Sequence, residues 1–466
     1  MTPNGVQRIT SDRTPRAGTD GRQADRIVWW LPLAVLIGLA ALEGIRQGGF
    51  WPADALTVAL VALALIVGQM VRGQVPRSLV WALASLLTLA AWWLARAGLA
   101  GHVKTFLPLG ASLLGFAAAL VVVQPLPAAG RRYAAMAVGL LGGAAATIGL
   151  AGVTFRWRPM AIPAQGLWRL STVLTYADAA GLLLVLALLL VLGLDESYWL
   201  WRVVVFVCLA GAMATQSRGA ALALVAGMFL VPWSRYRRMA VPLAAGLVAG
   251  VITVATSAHR TPKPAVAGAI VLCGLVAVWW TPRLTRRRQS LLRWRPTFTG
   301  ALVLLVLVAG SALVLRSDIG LRAFAPSDHD RAVEWSAAAH QFLSSPWTGV
   351  GPDRLLTFHT ADGTYAHFAH NEYLQVLADG GLIGAGLLLA AALALASRVR
   401  RRDDLSSAAV AALVAFAVGG LFDFDWHLPV LALLAGAMAG LAIPQRVDPG
   451  ARPSEVRPSE VRPSPP

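Results

Sequence analysis

The sequence predicts an all-α protein, a polytopic transmembrane bundle of about 12–14 helices with one large extracytoplasmic helical loop. Two observations predict this fold. Hydrophobic residues make up 57% of the 466 residues and charged residues only 14%, whereas soluble domains have roughly 25% charged residues. Apolar runs of about 20 residues, each long enough to cross a bilayer, recur along almost the whole chain. These features exclude the soluble-enzyme, secreted disulfide-rich and disordered classes.

Composition divides the chain into five parts. Residues 1–26 are polar and arginine-rich without the apolar core of a signal peptide, so they are predicted to be a disordered cytoplasmic tail. Transmembrane helices are predicted in 27–315 and 372–443, and 316–371 between them is predicted to be the extracytoplasmic loop that carries the functional site. Residues 444–466, which repeat Arg-Pro-Ser-Glu-Val, are predicted to be a second disordered cytoplasmic tail. The predicted spans are 27–45, 52–71, 77–95, 105–123, 133–153, 172–193, 198–216, 219–233, 239–256, 265–281, 298–315, 372–397, 406–422 and 428–443.

The charges of the connections predict which side of the membrane each one faces. The chain has 40 Lys and Arg against 23 Asp and Glu, and its arginine clusters fall in every second connection, as the positive-inside rule requires of cytoplasmic loops. Both termini are then cytoplasmic. Because the membrane accounts for the basic charge, no nucleic-acid partner is expected. The clusters are Arg72 and Arg77, Arg131 and Arg132, Arg235 to Arg238, Arg283 to Arg295, and Arg398 to Arg402.

The loop 316–371 departs from this pattern in its polar residues. It contains five of the eight histidines and four arginines, on the side where the positive-inside rule disfavours arginine. Ser327 is predicted to cap a helix that extends to about Leu343. Arg331 and Trp335 share one face of this helix. The histidines and arginines are His329, His340, His359, His367, His370, Arg316, Arg322, Arg331 and Arg354.

Three further features lie next to predicted span ends. Gly349-Val350-Gly351 is predicted to form a tight turn that brings the backbone close to another part of the chain. Asn371 is a good N-cap for the next span, so His370 is placed at the water–bilayer boundary beside a helix N-terminus, where backbone N–H groups favour anions. Arg218 lies in a very short link between two spans. An arginine at membrane level costs roughly 2.5–3.5 kcal/mol unless it pairs or reaches water, so it marks a pathway or site by default.

Five strings between Ser217 and Gly384 resemble the O-antigen ligase and polymerase superfamily. They cover about residues 210–400, and they agree in order and spacing most closely between Arg331 and Gly384. The strings are Ser217-Arg218-Gly219, Arg331-x3-Trp335, Pro346-Trp347-Thr348-Gly349-Val350-Gly351, His370-Asn371-Glu372-Tyr373-Leu374-Gln375 and Gly380-Gly381-Leu382-Ile383-Gly384.

The resemblance implies a metal-independent, inverting glycosyltransferase of the bacterial inner (cytoplasmic) membrane, with no cofactor. Such an enzyme transfers a glycan from undecaprenyl diphosphate to a hydroxyl of lipid A–core or another envelope acceptor at the outer face of the membrane. Its partners are the lipid-linked glycan donor, a lipid-linked or other glycan acceptor, and membrane lipid. By motif, Arg218 and Arg331 match arginines that contact the donor diphosphate. Arg322 matches a further one, with Arg316 as a rival, and His370 matches the histidine proposed as the base for the acceptor hydroxyl.

The chemistry of these residue types fits that reaction. A diphosphate leaving group accumulates negative charge, which prepositioned donors stabilise best where water is excluded. Arginine suits this role because its planar fork can bind two phosphate oxygens and stays charged. A histidine with an unshifted pKa near 6.5 is suited to take the proton of the acceptor hydroxyl around neutral pH.

Other functions stay open at the level of the sequence. A polymerase would join lipid-linked repeat units, and it differs from a ligase only in its acceptor. A flippase or transporter for the lipid-linked glycan would be expected to have internal repeats and charged residues near the midplane, and neither is clear in this chain. A structural scaffold of the cell envelope would need neither the outside arginines nor the boundary histidine.

Each candidate side chain also has a purely structural interpretation. Arg331 could pair with Glu334 or Asp328 on its own helix, which would make it part of a solvated helix face. Arg218 could extend to the membrane surface from a helix end. His370 could be an interfacial helix cap.

Three weaker patterns complete the prediction. The pair His367-x2-His370 has a spacing seen in zinc sites, but without a nearby cysteine it predicts no metal site. Asp423 and Asp425 lie at a predicted outside end, where they could be solvated or orient the loop, and Asp178 has no explanation. Tryptophan pairs such as Trp92-Trp93 are predicted to belong to an interfacial belt.

Overall fold

The structure is a computed structural model of the chain, and it describes residues 20–164, 166–194, 199–258, 263–287, 329–352, 358–359, 365–366 and 368–445. Most of both predicted tails lies outside these residues. So do the predicted span 298–315 and the predicted diphosphate-binding residue Arg322. The first helix begins at Asp20, inside the predicted tail 1–26.

The prediction of an all-α, polytopic fold is confirmed. In the described part of the chain, six helices are long and apolar enough to cross a membrane, and seven shorter apolar helices accompany them. Each of these helices coincides with a predicted span, and one further helix, α11, lies in the predicted loop. The helices are α1 Asp20–Ile45, α2 Pro52–Val71, α3 Val80–Ala100, α4 Val103–Val123, α5 Ala128–Phe155, α6 Ala177–Val191, α7 Trp199–Ala214, α8 Arg218–Met228, α9 Trp233–Thr256, α10 Pro264–Arg287, α11 His329–Ser344, α12 Glu372–Ala396, α13 Asp404–Gly419 and α14 Pro429–Ala442.

Several helices are shorter than the hydrocarbon core of a bilayer because they are surrounded by protein. Helix α14 has 14 residues, which corresponds to a length of about 21 Å against a core of about 30 Å. Every residue of α14 is buried, and so is every residue of α6 except Asp178. Since neighbouring helices rather than lipid enclose them, the ends of these helices need not reach the headgroups.

The centre of the bundle depends on close helix approach at small residues. Helix α14 packs along α4, which in turn packs on α2, while α13 packs against α6 and α8. A Cβ atom on Gly436 would lie 2.2 Å from the carbonyl oxygen of Phe116. Only glycine therefore allows α14 to approach α4 this closely, as is typical of helix packing in membranes.

Helix α12 is broken at Gly381, and the turn after α11 inserts into the break. Gly381 has φ +63° and ψ −162°, and Gly349 and Gly351 in the turn also have positive φ. The inserted turn satisfies the backbone groups that the break frees, which is a requirement at membrane depth. The N–H groups of Val350 and Gly351 donate to the carbonyls of Ala378 and Asp379 (2.9 and 3.0 Å), and those of Leu382 and Ile383 donate to the carbonyls of Pro346 and Trp347 (2.8 and 3.2 Å).

Helix α3 holds this joint from the other side. The Arg96 guanidinium donates to the Gly349 carbonyl (2.6 Å), and the Trp92 indole N–H donates to the Gly380 carbonyl (3.1 Å). Trp93 is buried, with its indole nitrogen 2.6 Å from the position that a Cβ on Gly380 would occupy. The buried Trp93 is therefore an exception to the predicted interfacial belt, and both indoles contact the broken helix.

A β-hairpin in the connection between α5 and α6 was not predicted from the sequence. Strand β1, Ala161–Ala164, pairs antiparallel with β2, Leu167–Leu170. The hairpin is tied to the end of α9 by a hydrogen bond from the Trp168 N–H to the Ser257 carbonyl (3.0 Å). Strands of four residues are too short for alternation to show, and they bring Arg169 to the end of the bundle where α7 meets α8. A second, two-residue pair in the loop joins β3, Phe358–His359, to β4, Tyr365–Ala366.

The two ends of the bundle differ in composition. Contacts join the α5–α6, α7–α8 and α13–α14 connections with α11 and the N-terminus of α12, and we call this end the site end. Arginine-rich connections meet at the opposite end, where Arg235 pairs with Asp404 and Arg401 donates to the Leu230 carbonyl (2.7 Å). The arginine clusters thus lie away from the site end. This agrees with the positive-inside pattern, which predicts that the arginine-rich connections share the cytoplasmic side.

Candidate functional site

The N-terminus of α8 forms one wall of the site. Ser217 caps this helix, because its hydroxyl accepts a hydrogen bond from the Ala220 N–H (3.2 Å). Arg218 is the first residue of the helix and is exposed. The first turn of a helix presents backbone N–H groups and the positive end of the helix dipole, so this turn is suited to an anion.

Arg331, in the first turn of the described part of α11, faces the same wall. Its Nη1 donates to the Phe422 carbonyl (2.9 Å) in the α13–α14 connection, and a Cβ on Gly219 would lie 2.9 Å from Phe422 Cβ. A small pocket with an empty volume of about 230 Å³, part of it open solvent, lies between these groups. Its walls are formed by Asp178, Leu182, Ser217, Gly219, Ala220, Arg331, Gly419, Phe422, Asp423 and Asp425.

Glu334, one helical turn beyond Arg331, contacts His370. Its Oε2 lies 2.8 Å from Nδ1 of His370. The Glu334 side chain is 3% exposed and that of His370 is 26% exposed, so the imidazole lies between a buried carboxylate and the surface. The structure does not show Arg331 paired with Glu334. The described partner of Arg331 is the Phe422 carbonyl, and that of Glu334 is His370.

The backbone at His370 is held in an uncommon conformation. His370 has φ +43°, a left-handed value that costs a non-glycine residue of order 1–3 kcal/mol and that clusters at functional sites. The chain on either side is fixed: the Ala369 N–H donates to Gln375 Oε1 (2.9 Å), and Asn371 caps α12 by accepting from the Tyr373 N–H (3.1 Å). The predicted role of Asn371 as N-cap is confirmed.

The environment of His370 shifts its titration. Burial disfavours the charged imidazolium, but the hydrogen bond to Glu334 and the negative charges of Asp423 and Glu334 outweigh burial and the nearby Arg331, so the pKa of His370 is raised above its ordinary value. The expectation of an unshifted pKa is therefore wrong. The partner that shifts it lies 36 residues away in the sequence, where no local pattern indicates it.

Two buried carboxyls, those of Asp423 and Asp425, line the pocket. The Tyr176 hydroxyl donates to Asp423 Oδ1 (2.8 Å), and among the described residues Asp423 Oδ2 and Asp425 Oδ1 have no hydrogen-bond partner. Burial, with the charge of Asp178 added, raises the pKa of Asp423 to about 6. Burial and the charge of Asp423 also raise the pKa of Asp425 well above its usual range. The suggestion that these residues are solvated is wrong, because both are buried.

Arg169 is a site-end residue that sequence reasoning missed. It donates through Nη2 to Asp178 Oδ1 (2.9 Å) and through Nε to the Thr215 carbonyl (2.8 Å). This ion pair explains the acidic residue in the first turn of α6. It also ties the β-hairpin to the turn that carries Arg218. Because four-residue strands leave no periodic signal, nothing in the sequence marked this arginine.

A second carboxylate–histidine pair and an aromatic stack support the N-terminus of α12. Glu372 Oε2 lies 3.6 Å from Nδ1 of the buried His427. The Phe368 and Phe424 rings are stacked with centroids 4.5 Å apart, and the His370 ring meets Phe424 edge-on at 5.2 Å. The pair and the stack fix the segment on both sides of His370.

The structure thus brings together three of the four predicted site residues at one end of the bundle. Arg331 and His370 are linked through α11 and Glu334, and Arg218 lies on the turn that forms the pocket wall. Arg322 lies outside the described residues. Within the described residues, no group of three or more His, Cys, Asp or Glu side chains has a geometry suited to a metal ion. His367, one of the two histidines with a zinc-like spacing, lies outside the described residues.

These features define a polytopic membrane protein with an arginine- and histidine-containing site at one end of a helical bundle. Residues 245–389 match the family model described as O-antigen ligase, so the chain carries an O-antigen ligase domain and the resemblance drawn from its motifs is confirmed. The match covers less than a third of the chain, and it supports a membrane glycosyltransferase of the O-antigen ligase and polymerase type. It includes Arg331, Glu334 and His370, while Arg218 precedes it. None of the curated proteins matches the chain.

Proposed function

We propose that this protein transfers a glycan from undecaprenyl diphosphate to an acceptor hydroxyl, of lipid A–core or another envelope acceptor, at the outer face of the bacterial inner membrane. The observation that carries the proposal is the juxtaposition of Arg331, Glu334 and His370 beside the N-terminus of α8. The arginine-rich connections at the opposite end support a cytoplasmic location for that end and for both termini.

In this proposal the diphosphate binds where α8 and α11 meet. Arg218 and Arg331 contact its oxygens, with the N–H groups of the first turn of α8 nearby, and Arg322 is a further candidate for the same role. As the bond between the anomeric carbon and the phosphate oxygen breaks, its electron pair passes to the diphosphate. Guanidinium groups stabilise that charge more strongly in a partly dehydrated site than in water.

His370 serves the acceptor side of the same displacement. Its imidazole accepts the proton of the acceptor hydroxyl while the hydroxyl oxygen forms the new bond to the anomeric carbon, on the face opposite the leaving diphosphate. The configuration at that carbon is inverted, and the proton passes from the imidazolium to water. No metal ion or cofactor takes part in this scheme. General-base catalysis of this kind contributes typically 10²–10⁴-fold.

The direct test is glycan transfer by the purified protein in lipid vesicles with a lipid-linked glycan donor. His370→Ala is expected to reduce the turnover by about 10²–10⁴-fold while membrane insertion stays normal. The matched control is His340→Ala, on the exposed face of α11, which should leave turnover unchanged. Full transfer by His370→Ala would remove the base assignment.

The acceptor is identified in cells that lack the protein. If it is a ligase, the envelope acceptor loses its glycan and lipid-linked polymer accumulates. If it is a polymerase, the acceptor instead carries single repeat units. Lipid-linked glycan that stays on the cytoplasmic side would indicate a flippase and would overturn the proposal.

A further inference from the structure

The burial of Glu334 calls for an explanation that the fold alone does not provide. Glu334 is 2% exposed, and an ionised carboxylate without hydrogen-bond donors is very unfavourable in such a position. On α11 it shares a buried face with Ala338, one turn later. The described hydrogen-bond partner of Glu334 is Nδ1 of His370, which belongs to a different segment.

The chemistry of this contact determines the state of the imidazole. A carboxylate only accepts hydrogen bonds, so Nδ1 of His370 must carry a proton. In the neutral ring Nε2 is then the basic nitrogen with a free electron pair. When Nε2 takes a proton, the carboxylate 2.8 Å from Nδ1 stabilises the resulting imidazolium.

We propose that Glu334 is the positioning residue of His370: it fixes the Nδ1–H tautomer, leaves Nε2 to accept the proton of the acceptor hydroxyl, and stabilises the imidazolium formed in the transfer. This inference rests on the proposed function. It assigns Glu334 a role through His370 and no contact with substrate of its own.

The two partners are held by separate elements, so the pairing is built by the tertiary structure. Glu334 is carried on α11, whose following turn inserts into the break of α12 at Gly381. His370 is held at φ +43° between the Ala369–Gln375 hydrogen bond and the Asn371 cap. Rigid support of this kind on both sides is what an oriented general base requires.

The charged groups around His370 come from two segments, and they set the expected pH dependence. Glu334 and Arg331 face it from α11, and Asp423 faces it from the α13–α14 connection. Removing the Glu334 charge leaves Arg331 in place, which disfavours the imidazolium. The base then titrates at lower pH, so the acid limb of the kcat/KM profile moves to lower pH in a Glu334→Gln variant.

The experiment measures glycan transfer by the full-length protein in lipid vesicles across pH 5–9. Glu334→Gln is expected to reduce kcat by about 10²–10⁴-fold with little change in KM, as loss of the orienting carboxylate does in Ser-His-Asp triads, and to shift the acid limb downward. Glu334→Asp, which keeps the charge but shortens the reach, should restore part of kcat. His340→Ala is the control on the same helix.

A double-mutant cycle separates positioning from a structural role. If Glu334 acts through His370, then Glu334→Gln added to His370→Ala causes no further loss of kcat. An unshifted acid limb, or full additivity of the two losses, would show that Glu334 only stabilises the fold and would overturn this inference while His370 keeps its role. Full activity of His370→Ala would overturn the base assignment itself, and this inference with it.

Discussion

The two ends of the bundle use arginine in different ways. At the opposite end, Arg131 donates to the Gly440 and Ile443 carbonyls (3.1 and 3.3 Å), and Arg235 donates to the Leu194 carbonyl (3.0 Å) and pairs with Asp404. These guanidinium groups cap the C-terminal ends of helices, where carbonyls lack intrahelical partners.

At the site end, Arg331 instead faces a helix N-terminus across a pocket. The contact described for it there is one carbonyl, that of Phe422, and helix N-termini attract anions rather than cations. Arginine beside an N-terminus is the arrangement expected of an anion site, whereas arginine beside a C-terminus is that of a structural cap. Arginine occurs at both ends, so the type of helix terminus that each arginine meets is the feature that separates a ligand-binding role from a structural one.

Among the tests of this comparison between the two ends, the largest expected effect comes from exchanging Arg331 for lysine, with Arg131→Lys as the counterpart at the opposite end. Arg331→Lys should lower kcat/KM by about 10²–10³-fold, the loss typical for one donor to a developing charge, because the bidentate fork is gone. Arg131→Lys should lower thermal stability and leave the kcat/KM of the folded protein near normal. Measuring the melting temperature and kcat/KM of both variants tests whether the two arginines have different roles. Near-normal transfer by Arg331→Lys would assign that residue to the solvated helix face.

A smaller effect is expected at the broken helix. Gly381→Ala places a Cβ 2.5 Å from the Trp347 carbonyl carbon and forces alanine to φ +63°. The variant should lose about 1–3 kcal/mol or more of stability, with transfer reduced because α11 shifts. Gly386→Ala is the matched control, since nothing lies within 4 Å of a Cβ there. Thermal unfolding in detergent gives the comparison, and equal melting temperatures would show that the inserted turn is not required.

The pH dependence sharpens the assignment of the base. Because the pKa of His370 is raised, the imidazole becomes protonated, and inactive as a base, as the pH falls through a value above 6.5. Activity should therefore fall about tenfold per pH unit below that point, and it should be complete well above it. A profile of kcat/KM that stays flat down to pH 5 would contradict this expectation.

The smallest expected effect is that of metal removal. Treatment with a chelator should leave glycan transfer unchanged, because the proposed chemistry uses guanidinium groups and an imidazole. The measurement is turnover before and after dialysis against the chelator, with added Zn²⁺ as the reference. Strong inhibition that added metal reverses would support the zinc-like histidine pair instead.

The helices of the bundle were predictable, and most tertiary details were not. Apolar runs such as the one in α6 identify a membrane helix by length alone, and motifs such as His370-Asn371-Glu372 locate the start of α12. The break at Gly381 has no such signal, because it is stabilised by a turn that lies some thirty residues earlier. An apolar run looks the same whether its helix is continuous or interrupted.

The site was predictable in its residue types and not in its pairings. The arginines that are predicted to lie outside and the predicted boundary histidine stand out in the sequence because the membrane disfavours them at such positions. Glu334 and Arg169 do not stand out, since acidic and basic residues are ordinary on a polar helix or in a connection. Their roles come from contacts between distant segments, and these depend on how the helices pack.

The turn that enters α12 has a mechanical consequence. Four backbone hydrogen bonds join it to the two halves of the helix, so the segment with Arg331 and Glu334 is coupled to the one that begins at His370. In the proposed reaction, the groups that bind the diphosphate and the base that activates the acceptor therefore belong to one connected unit. If ligand binding displaces either segment, the displacement is transmitted to the other segment through these hydrogen bonds.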